Sequence, residues 1–162
     1  MKVRDATAAD AAAIDLMIRE LAAYEGHTGA LAFTVDRLAQ ALAENRPRLR
    51  AVIAEDAEGP VGFVTYTIDY AIWTGGDIVR VDDVFVRERA RGNGAGTRLM
   101  LRIAELAIAG GMLSRWELQS ANLRAQRFYE SLGVEIRDKK VARWSTAAMR
   151  ACLARERKAD LS

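Results

Sequence analysis

A chain of 162 residues that is 51% hydrophobic and 28% charged has the make-up of one ordinary globular domain, and such a length typically buries about 70% of its unfolded surface. Its net charge is only +2 and its basic side chains are scattered, which excludes a demand for a polyanionic partner and argues against a nucleic-acid surface. The single cysteine, Cys152, permits no internal disulfide, and no run approaches 18 apolar residues. The start, Met1-Lys2-Val3-Arg4-Asp5, lacks a signal-peptide core, so a soluble cytoplasmic protein with no membrane partner is expected.

Residues 2–6 read as a short edge strand. Thr7 followed by Asp10 resembles a capping box, and Ile14, Met17, Ile18 and Leu21 then recur at helical spacing until Tyr24-Glu25-Gly26. A loop over 26–32 leads to a shorter helix capped by Thr34, with Leu38, Ala41 and Leu42 inward, stopped by Asn45 to Pro47. The period then changes to that of strands. Residues 49–55 and 61–68 flank a hairpin signal at Ala57-Glu58-Gly59-Pro60. Residues 70–77 read as a longer connection, and 78–86 as the third strand of a meander. A helix over 97–109 buries Leu99, Ile103 and Leu106 and stops at Gly110-Gly111. A strand over 115–120 and a helix over 122–132 follow, closed by Gly133. Residues 134–137 and 141–145 read as a final strand pair, Thr146 as the cap of a last helix to about Arg157, and 158–162 as a polar, frayed tail. No repeat or boundary interrupts the chain, so one domain over residues 1–162 is expected.

The passage from Val84 to Thr97 carries the chemistry. An apolar strand ends, Arg87, Arg89 and Arg91 alternate with other residues, and Gly92, Gly94 and Gly96 follow two apart before a helix. Alternate glycines let successive amides point one way, and a helix start adds unpaired N–H groups and partial positive charge, which together suit a phosphate. A Walker loop is excluded because no Lys-Ser/Thr pair follows, and a dinucleotide fingerprint would want glycine or alanine where Thr97 stands.

The form Arg91-Gly92-Asn93-Gly94-Ala95-Gly96 after a strand resembles the acyl-CoA pyrophosphate loop of the GNAT superfamily of N-acetyltransferases. Further passages are similar to its spermidine/spermine (diamine) branch: residues 4–10 with 20–25, 70–75 with 81–86, and Asn122, Ala125, Phe128-Tyr129 and Leu132-Gly133. The resemblance implies an α+β fold with a mostly antiparallel sheet splayed after its fourth strand and helices on both faces. It implies acetyl-CoA as the acyl donor, no metal, a small primary amine as acceptor and a homodimer. By the same resemblance the backbone of Val84, Phe85 and Val86 would bond the pantetheine arm. The segment Arg91, Gly92, Asn93, Gly94, Ala95, Gly96 and Thr97 would hold the pyrophosphate, and Asn122 with Ala125 would border the cofactor's other side. Tyr129 would be the general acid, and Tyr24, Glu25, Trp73, Asp82 and Asp83 would line the amine pocket, with Asp82 or a water as proton acceptor.

Residue chemistry agrees with these roles. An alkyl amine near pKa ~10.4 costs about 4 to 5 kcal/mol to neutralise at pH 7, and a nearby carboxylate both attracts the cation and accepts its proton. Asp82 and Asp83 are adjacent on a predicted strand, so alternation puts them on opposite faces and only one on the cleft side. No cysteine is placed as an acyl carrier, which favours direct attack by the amine, with a backbone N–H near Phe85 polarising the carbonyl. Plainer readings stand beside these. Periodicity alone makes Tyr129 a packing residue of the stripe Ala125, Phe128 and Leu132. Asp82 and Asp83 read equally as a solvated strand pair, Glu25 as a helix-end charge, Trp73 and Trp116 as packing, His27 as a loop residue and Cys152 as structural. The three arginines read as a solvated cluster, with at least one expected near cofactor phosphates. Residues 26–31 and Asp138-Lys139-Lys140 are less acidic than the polyamine enzymes, which favours a short diamine, a lysine-like amino acid or another small primary amine. A silent acetyl-CoA-binding domain and a protein-amine acetyltransferase remain as alternatives.

Overall fold

The computed structural model describes residues 1–26, 29, 31–44 and 48–159; His27, Asn45 to Pro47 and the tail residues 160–162 lie outside them. The chain falls into two units, Met1–Leu118 and Gln119–Ser162. The first holds five strands side by side in chain order: β1 (Lys2–Asp5), β2 (Arg50–Asp56), β3 (Gly59–Ala71), β4 (Gly76–Val86) and β5 (Leu113–Arg115). Strands β1 to β4 are antiparallel, whereas β5 runs parallel to β4 and is reached through a helix, as a parallel neighbour requires. The helices of this unit are α1 (Ala11–Tyr24), α2 (Val35–Ala43) and α3 (Ala95–Ala109).

Helices cover both faces of the sheet, and the pleat explains why. On one face Ile14 and Met17 of α1 and Leu38 of α2 pack in one cluster with Ile53, Phe63 and Phe85. On the other, Leu99 and Ile103 of α3 are buried, and a Cβ at Gly62 would lie 3.2 Å from Leu99 Cδ1. That same Cβ would stand 2.7 Å from the Phe85 carbonyl, so only glycine lets β3 lie this close to β4 here. The sequence reading placed Leu106 inside; α3 instead buries Met100 and Ala107, and Leu106 is half-buried.

Three expected elements differ. The connection over 70–77 is a tight hairpin, with Ala71 opposite Gly76 and Gly75 taking φ +67° to let its N–H reach the Ala71 carbonyl. The strand over 115–120 is shorter and earlier, because β5 pairs only through Leu113–Arg115. The final strand pair does not form: in the second unit α4 (Leu123–Ser131) and α5 (Thr146–Ala159) are joined by 134–145 without a ladder partner among the described residues. Its charged centre Arg137-Asp138-Lys139-Lys140 is exposed and offers no apolar face to bury. Among the described residues no helix is long and apolar enough to cross a membrane.

The start of the chain is anchored electrostatically. Arg4 on β1 gives Asp10 two hydrogen bonds of 2.8 and 2.7 Å and reaches Glu55 on β2 at 3.1 Å. Asp10 also accepts from the Thr7 amide at 2.8 Å, which is the capping interaction read from the sequence. The Arg4 hydrogen bonds hold the Asp10 carboxyl down at about 2, against a burial cost that opposes them. Because the folded value lies below the unfolded one, this stabilisation is complete above about pH 4 and disappears as pH falls through about 2. Urea melts are expected to lose about 2 kcal/mol over that window, and Asp10→Asn is expected to lose a similar amount at pH 7 and flatten the acid step.

Candidate active site

The register between β3 and β4 slips by one residue: Thr65 faces Asp83, but Tyr66 faces Val81, which leaves Asp82 as the extra residue of a β-bulge. The slip changes which side chains share a face. Thr65 and Thr67 are on one side of β3, so their partners Asp83 and Arg80 are on that side too, and Asp82 follows Arg80 by two. Both aspartates therefore face the α1–α2 side, and the expectation that they diverge is corrected. The bulge is the reason.

The two carboxylates have different partners. Asp83 Oδ2 accepts the Thr65 hydroxyl at 2.9 Å, and Thr65 Oγ1 accepts the Asp83 amide at 3.1 Å. Asp82 has no hydrogen-bond partner among the described residues and its surface reaches water. Partial dehydration nevertheless raises its pKa; the Asp83 charge adds to this, and the Arg80 charge opposes it. A carboxylate placed this way is a stronger base than a free one.

Next to the bulge the sheet opens. Pairing of β4 with β5 stops at Arg80 opposite Arg115, two residues short of Asp82, so Val84 to Val86 form an edge on that side. The Arg87 amide bonds the Val61 carbonyl at 2.8 Å, and antiparallel alternation then turns the main-chain groups of Phe85 toward β3 and those of Val84 and Val86 outward. The outward N–H groups near Phe85 are therefore those of Val84 and Val86.

The edge runs into the glycine loop. Gly92 and Gly94 take φ of +81° and +78°, and a Cβ at either would meet nothing within 4 Å, so the glycines serve backbone conformation in an open place. Gly94 caps α3 without a side-chain cap, Arg98 N bonds Gly94 O, and the amides of Ala95, Gly96 and Thr97 are left at the helix start. Gly96 itself is helical, because α3 begins at Ala95, two residues earlier than expected. The arginines have protein partners: Arg87 with Glu20 at 2.7 Å, Arg89 with Asp56 at 2.7 Å, and Arg91 with the Val86 carbonyl at 2.9 Å. Arg91 also lies over the Tyr24 ring, 4.9 Å from its centroid, tying the end of α1 to the strand edge.

In the second unit Asn122 Oδ1 caps α4 by accepting from Ala125 N at 3.0 Å. Tyr129 is 7% exposed, its ring 5.1 Å from that of Phe128, and burial pushes its pKa up to about 12. Within the first unit the fold brings together Asp82, Asp83, the β4 edge, the loop and Tyr24. It does not bring Trp73 to them: this residue is fully exposed at the hairpin tip, beyond the stretch of strand, about 20 Å long, that runs from Gly76 to Asp82. Glu25 is exposed at the end of α1. Sequence reasoning missed Thr65, Arg80 and Glu20, whose parts depend on register and leave no motif. Among the described residues no group of His, Cys, Asp or Glu has a metal-holding arrangement.

An opened mixed sheet beside a glycine-started helix is the frame of an acyl-CoA N-acyltransferase. Residues 15–134 match the model of the acetyltransferase (GNAT) family, and the chain belongs to that family. A thialysine N-epsilon-acetyltransferase from Mus musculus is 30% identical over 144 residues, 83% of this chain and 84% of that protein. A spermidine/spermine N(1)-acetyltransferase-like protein 1 from Homo sapiens is 33% identical over 115 residues, 66% of this chain and 16% of that one. An aminoglycoside acetyltransferase from an uncultured soil metagenomic sample, solved with sisomicin, has a TM-score of 0.75 at 16% identity, with 90% of this chain and 95% of that one covered. The chain is thus an acetyltransferase enzyme, and the diamine-related branch recognised in its sequence is represented among its relatives.

Thr65 is 3% exposed and bonds both the side chain and the amide of Asp83. Thr65→Val is expected to cost about 1 to 3 kcal/mol in a denaturant titration, since it leaves a buried amide and a carboxylate short of a partner.

Proposed function

We propose that the chain transfers an acetyl group from acetyl-CoA to a primary amine of a small molecule, such as a diamine, a polyamine or a lysine-like amino acid. The observation that carries this reading is the pairing of two sets of main-chain donors, one at the edge of β4 beyond its pairing with β5 and one at the open first turn of α3, joined by the glycine loop. These groups fit a pantetheine amide chain followed by a pyrophosphate; Arg87 and Arg89 are paired with carboxylates, whereas Arg91, hydrogen-bonded through Nε, keeps a place beside the backbone N–H groups. The family match covers residues 15–134 and so runs from the first unit into the start of the second, which supports reading residues 1–162 as one catalytic domain. A cytoplasmic homodimer completes the reading by analogy.

Acetyl-CoA, when bound, supplies an acetyl group activated as a thioester. The residues then have two proton movements to manage. Asp82, with its raised pKa, draws the substrate ammonium and accepts its proton directly or through a water, the shorter side chain favouring the water. The Val84 or Val86 N–H orients and polarises the acetyl carbonyl. Tyr129 retains its proton up to about pH 12 and donates it from Oη to the departing sulfur. A thiol near 8.5 lies ~3.5 units below it, so transfer ahead of bond cleavage would cost about 5 kcal/mol, and donation must accompany the breaking C–S bond.

Tyr129→Phe is expected to lower kcat by about 10²- to 10⁴-fold in a thiol-release assay, and an undiminished rate would remove Tyr129 from the mechanism. For the loop, calorimetry on Gly94→Ala is expected to show acetyl-CoA affinity about 5- to 30-fold weaker, the equivalent of the roughly 1 to 2 kcal/mol that a left-handed alanine costs. An unaltered affinity would place the cofactor elsewhere.

A further inference from the structure

The face of β3 and β4 that carries Asp82 and Asp83 also carries a cation. Arg80, opposite Thr67, donates its Nε–H to Asp69 Oδ2 at 2.6 Å. That bond leaves the terminal nitrogens without a partner among the described residues, and the side chain is 43% exposed. A guanidinium fixed at Nε has a set direction, and its two terminal nitrogens form a planar fork that matches a carboxylate. Arg80 and Asp82 are two residues apart on this face, about 6.5 Å along the strand. That separation is of the order of an extended four-methylene chain between an ammonium group and the carbon that bears a carboxylate.

The chemistry discriminates between acceptor amines. A diamine held by Asp82 would present its second cation to a guanidinium, whereas an amino acid would present an anion. We propose that Arg80, braced by Asp69, is a specificity residue that binds the carboxylate of a lysine-like amino acid and selects it over diamines of the same length. This inference rests on the amine-acetylation reading above. The competing role is structural, a cross-strand surface pair with Asp69, and such pairs contribute little to stability.

Thiol release with acetyl-CoA is compared for L-lysine and thialysine against the diamines that lack only their carboxylate. The expected result is a higher kcat/KM for the amino acids, with the preference ratio falling about 10- to 100-fold in Arg80→Gln, chiefly through KM. Arg80→Lys, which keeps the charge but loses the fork, is expected to retain part of the preference. Asp69→Asn, which breaks the pair but keeps the guanidinium, is expected to preserve the direction of the preference. Equal losses toward amino acids and diamines in Arg80→Gln, or a wild-type preference for the diamines, would overturn this inference alone. Absence of turnover with every amine would overturn the acetyl-transfer reading and this inference with it.

Discussion

Main-chain hydrogen bonding between β4 and its neighbours is the constraint on which this architecture turns. A peptide group removed from water must find a partner, and β4 finds partners on its β3 side along its whole length. On its other side β5 supplies them only from Ile78 to Arg80. Beyond that point the donors and acceptors of Val84 and Val86 are open to something other than sheet. The parallel crossover through α3 makes this possible, because it returns β5 beside the near half of β4 and starts the helix at the far end. One topological choice therefore yields both the edge and the helix start.

The bulge at Asp82 belongs to the same region. An extra residue in one strand raises local twist and bends it, and here it lies two residues past the last β4–β5 pair. It also sets the electrostatics, since it puts two aspartates and Arg80 on one face where plain alternation would have divided them. Asp83 is satisfied by Thr65, and Asp82 is left partly dehydrated beside a like charge. The different surroundings of two identical neighbouring side chains come from backbone geometry.

Much of this was readable in the chain. Helices α1 to α4 announce themselves through apolar spacing and caps such as Thr34 and Asn122, because those features are demands on residue type. The loop is legible for the same reason, as a positive φ at Gly92 and Gly94 restricts what can stand there. Register is different. A slip of one residue requires no particular side chain, so the Asp82 bulge left no mark and the faces of Asp82 and Asp83 were misjudged. The Gly75-Gly76 doublet read as a long connection because glycine marks a turn without giving its length. Residues 132–136 do alternate in burial as a strand would, but the sequence could not show that the ladder partner was missing. Arg91 is marked in the sequence by its place before the glycines, but its partners Val86 and Tyr24 lie on other elements and only the fold brings them near.

A grip made of peptide groups also shapes how such an enzyme can diverge. Amide donors at Ala95, Gly96 and Thr97 persist whatever side chains those positions carry, so nearly all point changes leave them standing, and the two left-handed glycines are the vulnerable points. In the proposed reading the opposite wall would be built from side chains such as Asp82, Asp83, Arg80 and Tyr24, each replaceable by one codon change. On that reading donor recognition is insulated from drift while acceptor choice stays cheap to rewrite, and a single scaffold could explore new amines without relearning how to hold its acyl carrier.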